Sequence, residues 1–111
     1  MTEKLEALAA MPVKPGAPKL PGPAIDEAFR TLAGWALADG ALEKMFRFAD
    51  WRATMAFVNA VSDVANEVDH HPDLELGWGR VAITIWTHKI DGLTESDFVL
   101  AAKCDRELAA G

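Results

Sequence analysis

The run Val81-Ala82-Ile83-Thr84-Ile85-Trp86 constrains this chain most, because its side chains alternate between two faces with a period of two. Val81, Ile83 and Ile85 share one face, while Ala82, Thr84 and Trp86 share the other. A strand with one strongly apolar face needs partner strands at its edges and a second layer over that face. Asp39-Gly40 supplies the clearest source of partners, since this dipeptide favours a two-residue hairpin turn. Strands are expected on either side of it, from Trp35 to Leu37 and from Leu42 to Phe48. In the second, Phe46 and Phe48 alternate with Arg47.

Helical periodicity fills the gaps between these strands. Ala24 to Ala33 places Ile25, Phe29 and Leu32 on one face, with Gly34 as a stop. Asp50 is a natural cap for a helix from Trp51 to Val68. Its expected apolar stripe is Trp51, Met55, Val58, Val61, Ala65 and Val68, and Pro72 ends the pattern. Leu74 to Trp78 reads as a short strand, with Gly77 and Gly79 bracketing Trp78 in a turn. Asp91-Gly92 marks a further turn. Thr94-Glu95-Ser96-Asp97 then matches a capping box, opening a last helix that runs to about Leu108. The order α-β-β-α-β-β-α predicts an α+β fold: a four-stranded antiparallel sheet with three helices packed on one face.

Residues 1–23 differ in kind. Pro12, Pro15, Pro18, Pro21 and Pro23 remove backbone donors and bias their predecessors toward extended conformations. The expectation is a mobile or loosely docked arm, with one helical turn around Leu5 to Met11, ahead of a domain at residues 24–111. A chain of 111 residues suits a single domain, and one this small often gains from oligomerisation. Seventeen acidic against eleven basic residues give a net charge of −6, which argues against nucleic acid as a partner. Cys104 is alone, so no internal disulfide or cysteine metal cage is available, and the expected compartment is the cytoplasm. No apolar run approaches the roughly 20 residues of a membrane helix, and the start of the chain lacks the pattern of a secretory signal.

The three histidines stand at the ends of elements: His70 and His71 after the long helix, His88 after the alternating strand. Histidine is well suited to give and take protons near neutral pH, so this placement points to acid–base chemistry. Continued alternation would put His88 on the face of Trp86 and Thr84, away from the isoleucines. Other roles are open for these residues: polar loop positions for the histidines, packing for Trp78 and Trp86, and helix capping for Asp97. A zinc site built from three imidazoles is disfavoured because adjacent histidines seldom reach one ion together.

Asp69-His70-His71-Pro72-Asp73, then Trp78, then Val81 through Thr87-His88, then Gly92-Leu93-Thr94 and Asp97, together resemble the signature of the pterin-4a-carbinolamine dehydratases. Gly40-Ala41-Leu42 and Phe46-Arg47-Phe48 add to the likeness, which spans about residues 30–109. The resemblance implies dehydration of 4a-hydroxytetrahydropterin to quinonoid dihydropterin, with His70 and His88 as acid–base groups and His71 binding and orienting. It implies a pterin-binding set of Asp69, His70, His71, Pro72, Trp78, Trp86, Thr87, His88, Lys89 and Asp97. It further implies no metal or organic cofactor, and a homodimer or homotetramer. Many members carry an acid four residues before the first histidine. Here that position is Asn66, and Asp69 becomes the candidate to take over the role, unless the role is weakened. An alternative within the same family is a non-catalytic dimerisation or interaction cofactor.

Overall fold

In the computed structural model, which describes residues 3–14, 16–90 and 92–110, four strands form one antiparallel sheet. They are β1 (Ala36–Ala38), β2 (Ala41–Arg47), β3 (Asp73–Gly77) and β4 (Arg80–Ile85), in the spatial order β1-β2-β4-β3. Asp39 and Gly40 turn β1 into β2 with φ of 51° and 76°, the paired left-handed conformation of a two-residue hairpin. Ala38 and Ala41 face each other across that turn. Trp78 and Gly79 close the β3–β4 hairpin, and Gly79 takes a φ of 74°. β2 ends one residue earlier than its alternation suggests. Phe48 leaves the ladder and its N–H donates to the Gly79 carbonyl at 2.8 Å. Leu42, Phe46, Val81, Ile83 and Ile85 are buried on the inner face, as the period of two requires.

Four helices accompany the sheet: α1 (Glu3–Ala9), α2 (Gly22–Phe29), α3 (Trp51–Val68) and α4 (Glu95–Ala110). α3 has the expected bounds. The Asp50 carboxylate accepts from the Ala53 N–H at 2.8 Å, satisfying a donor that the helix itself cannot. Its buried face, however, is Thr54, Phe57, Val61, Val64 and Ala65, which corrects the stripe read from the sequence. Trp51 is 48% exposed. The stripes share Val61 and Ala65 and differ by a rotation that a polar Thr54 conceals. Thr54 is buried because its hydroxyl donates to Asp50 O at 2.7 Å and accepts from Gly79 N at 3.1 Å, joining α3 to the β3–β4 turn.

α4 is the central helix and packs against α1, α2, α3 and β4. Residues 96–105 are buried on every side of the helix, polar positions included. The proline-rich segment is preceded by a docked helix. The helix expected at Leu5 to Met11 is α1, two residues earlier, and it lies on α4 with Leu5 and Ala9 buried. The Lys103 ammonium donates to the Ala9 carbonyl at 2.7 Å, and burial holds its pKa below the ordinary lysine range. α2 starts two residues before its expected position, since Pro23 in a first turn costs no hydrogen bond, and stops at Phe29. The expected turn at Asp91 lies outside the described residues.

One polar knot crosses the core beside α4. Asp105 accepts from the Trp35 indole at 2.9 Å and from the Lys44 ammonium at 2.7 Å, tying the β1–β2 hairpin to α4. Removing this carboxylate strands the Trp35 indole N–H and takes the counter-charge from Lys44, which keeps the Ala33 carbonyl at 3.1 Å, so Asp105→Ala should lower unfolding free energy by about 2–4 kcal/mol, measured by urea denaturation. Next to it, burial pushes the Cys104 thiol from 9.0 up to about 12. The folded chain keeps this proton after the unfolded chain has lost it. That contribution to stability is whole below pH 9 and drains away as pH climbs toward about 12. Cys104 should therefore resist iodoacetamide in the native protein and label promptly in urea. Equal rates in both states would contradict its burial.

Candidate active site

Three loops meet at one end of the sheet, and each brings residues singled out above. The first is the exit from α3. Asp69 adopts a left-handed conformation, φ 52° and ψ 43°, and its N–H returns to Ala65 O. Aspartate tolerates this conformation better than most residues. The reversal turns His70, His71 and Pro72 back toward the sheet before β3 begins. The second loop follows β4. Thr87 pairs with Gly92 through a bond from Thr87 N to Gly92 O at 2.9 Å, and His88–Ile90 form a 3₁₀ turn between them. The third is the start of α4.

Asp97 joins all three. Its carboxylate is fully buried and meets His70 Nε2 at 2.7 Å through Oδ1. Oδ2 accepts from the Thr87 hydroxyl at 2.7 Å and from the Thr94 N–H at 2.8 Å. The capping box is thus realised through its acidic half, and the same side chain fixes a histidine. Because Asp97 serves as the acceptor throughout, His70 donates through Nε2, and in the neutral ring Nδ1 is then the accepting nitrogen. His70 is held in one orientation with 18% of its side chain exposed.

The other two rings are held more loosely. His71 Nε2 donates to the Asn66 amide oxygen at 3.0 Å on the protein surface. Asn66 therefore offers an acceptor to His71, while Asp97 orients His70. The expectation that Asp69 takes over as the orienting acid is corrected: its part is to reverse the backbone. His88 Nε2 lies 3.6 Å from Asp73 Oδ2, with 56% of its side chain exposed, and its ring makes a T-shaped contact with Trp86, the ring centroids 4.7 Å apart. β4 stops at Ile85, so His88 sits on a turn beyond the strand, yet it keeps the shared side with Trp86 that alternation predicts.

These loops enclose a cleft of about 550 Å³. Asp69, His70, His71, Pro72, Trp86, Thr87, His88 and Lys89 all line it. Two expected residues do not. Trp78 is 67% exposed at the β3–β4 turn, a strand length of about 16 Å from the Asp73 end of β3. Its proximity to the histidines in sequence is undone by the direction of β3. Asp97 has no exposed surface and acts from beneath, through His70. The sequence reading missed Lys14, Gly16, Ala17, Asp73, Ile90, Thr94 and Ser96, which also line the cleft. Nothing in a proline-rich stretch signals which surface it will cover. Among the described residues, no group of three or more His, Cys, Asp or Glu is placed to hold a metal ion. None of the described helices is long and apolar enough to cross a membrane.

Comparison with known proteins bears on this arrangement. The sequence model of the family described as Pterin 4 alpha carbinolamine dehydratase matches residues 18–107. A Rubrobacter xylanophilus protein, provisionally named a pterin-4-alpha-carbinolamine dehydratase, is 52% identical over 97 residues, covering 86% of this chain and 91% of its own. The crystal structure of a transcriptional coactivator/pterin dehydratase from Brucella melitensis superimposes with a TM-score of 0.78 at 32% identity, covering 81% of this chain and 98% of that one. A pterin dehydratase-like protein identified as a RuBisCO assembly factor in the alpha-carboxysome gives 0.56 at 26% identity, over 66% of this chain and 84% of its own.

The Asp97 contacts predict a specific lesion. Asp97→Ala leaves the Thr87 hydroxyl and Thr94 N–H without their acceptor and frees the His70 ring. A stability loss of about 2–4 kcal/mol is expected in urea denaturation. In proton–nitrogen NMR, the exchange-protected Nε2–H of His70 should vanish while the His71 signals stay in place.

Proposed function

The chain belongs to the pterin-4a-carbinolamine dehydratase family, and we propose that it dehydrates 4a-hydroxytetrahydropterin to quinonoid dihydropterin by histidine acid–base catalysis. The observation that carries this reading is His70, locked by a buried carboxylate, in one cleft with His71 and His88. The reaction breaks the C4a–O bond, releases the hydroxyl as water and removes the N5 proton, forming a C4a=N5 double bond. One group must protonate the leaving oxygen and another must accept from N5.

His70 suits the base, because Asp97 holds it in the tautomer whose Nδ1 accepts. His88 suits the acid that delivers a proton to the 4a-hydroxyl. His71 binds and orients the pterin, Trp86 offers an aromatic wall, and the backbone near Asp69 and from Trp86 to Lys89 meets the polar edge of the ring. The chemistry requires no metal or organic cofactor. A homodimer or homotetramer in the cytoplasm fits the same reading, with Met45 exposed on the outer face of the sheet as a contact that a second copy would cover.

Each acid–base group is expected to contribute about 10²–10⁴-fold to rate. His70→Ala and His88→Ala should each lower kcat for a 4a-hydroxytetrahydropterin by at least about 10²-fold, with circular dichroism and oligomeric state unchanged. His71→Ala should act mainly on KM. Unaltered kcat in the His70→Ala, His88→Ala double variant would sink the assignment.

A second reading, a non-catalytic interaction module, is supported by the two similar structures described as a coactivator/pterin dehydratase and an assembly factor. An inactive wild-type protein that retains its fold would favour it.

A further inference from the structure

The cleft has a wall that lies outside the family match. Lys14, Gly16 and Ala17 line it together with the histidines, whereas the match begins at residue 18. We propose that the segment linking α1 to α2 is a substrate-facing strap, with Ala17 as a specificity-determining residue and Ser96 as the positioning residue that latches it. The proposal rests on the reading of this cleft as a pterin site.

The strap is fixed at three places. Upstream, α1 is docked on α4, with Ala9 buried and its carbonyl receiving the Lys103 ammonium at 2.7 Å. Downstream, Leu20 N donates to Leu93 O at 2.8 Å, just before α4. Between these anchors, the buried Ser96 hydroxyl accepts from Lys14 N at 3.2 Å and donates to Lys14 O at 3.1 Å. One side chain thus satisfies both polar groups of a single strap residue. The stretch between Ala9 and Leu20 can take many paths at similar closure entropy, and the paired bond to Ser96 selects the one that borders the cleft.

Gly16 then takes a φ of 74°, with open space where a Cβ would lie, and the chain bends there without a steric cost. Ala17 follows as a small, half-buried residue on the cleft. Ser96 and Asp97 are neighbours in the first turn of α4. One helical turn therefore registers both the strap, through Ser96, and the ring of His70, through Asp97.

This arrangement separates binding from proton transfer. Loosening the strap widens the cleft and leaves the Asp97–His70 contact in place. Ser96→Ala is expected to raise KM about three- to tenfold with kcat within about twofold, the scale of one or two lost hydrogen bonds. Ser96→Thr, which keeps the hydroxyl, should stay near wild type. Ala17→Trp keeps the Ser96 hydroxyl and both backbone groups of Lys14, and should raise KM by filling the cleft that Ala17 lines.

The test is the KM and kcat of these three variants with a 4a-hydroxytetrahydropterin, paired with calorimetric affinity for unreactive 7,8-dihydropterin and with thermal melts. Raised KM, weaker dihydropterin binding and preserved kcat for Ser96→Ala and Ala17→Trp support the strap. Wild-type KM and affinity in both overturn it while leaving the dehydratase reading intact. If Ser96→Ala melts below the assay temperature, Ala17→Trp alone decides. If the wild type lacks dehydratase activity, the catalytic reading fails, and dihydropterin affinity still decides the strap: weakened in the variants it stands, undiminished it falls.

Discussion

A buried carboxylate must be repaid for the water it has lost, and the way Asp97 meets that demand organises one end of this molecule. It has two oxygens and receives a ring nitrogen from the α3–β3 loop, a hydroxyl from the β4–α4 loop, and a backbone N–H from the start of its own helix. Charge-assisted bonds of this kind are shorter and stronger than neutral ones. Each donor comes from a different part of the chain, so the carboxylate is satisfied only when all three loops have arrived. The requirement that stabilises the fold here is also the one that sets the His70 ring.

The sheet makes that convergence possible. Antiparallel pairing of β2 with β4 and of β3 with β4 brings the end of β4 and the beginning of β3 to the same edge of the layer. The loop after α3 enters β3 at that edge, and the loop after β4 leaves from it. α4 then begins directly below and runs through the middle of the helical layer, touching α1, α2 and α3. A helix so enclosed has little freedom to shift, which makes its first turn a rigid platform. Ser96 and Asp97 stand on that platform for the same reason.

Features governed by neighbours in the chain were legible in the sequence. The Asp39-Gly40 turn needed two left-handed residues and has them; the Asp50 cap and Pro72 bracket α3 as local chemistry demands. Features governed by distant partners were not. Thr54 is polar and falls outside the stripe that an apolar period picks out, yet its hydroxyl finds both a donor and an acceptor and carries the residue into the core. Asp97 had a sufficient local explanation as a cap, so its bond to a ring 27 positions away left no trace in the pattern. Trp78 stood close to the histidines in sequence but is separated from them by the whole of β3. The proline-rich segment gave composition without an address. Its docking depends on Lys103 and Ser96, which lie in the last quarter of the chain.

The three histidines, equivalent by residue type, differ in how much order the fold has already imposed on them. His70 has a buried partner and one orientation before any ligand arrives. His88 is exposed, 3.6 Å from an exposed Asp73, and stands at right angles to the Trp86 ring. Ordering a side chain when ligand binds draws on binding free energy, whereas a side chain ordered by folding makes no such demand. On the dehydratase reading, the two proton transfers draw on differently prepared rings. His70 would meet N5 with its ring already set by folding, while His88 would be ordered over the departing hydroxyl only as the ligand binds. The asymmetry of the site, one fixed ring and one adaptable ring, thus divides the ordering that catalysis needs between folding and ligand binding.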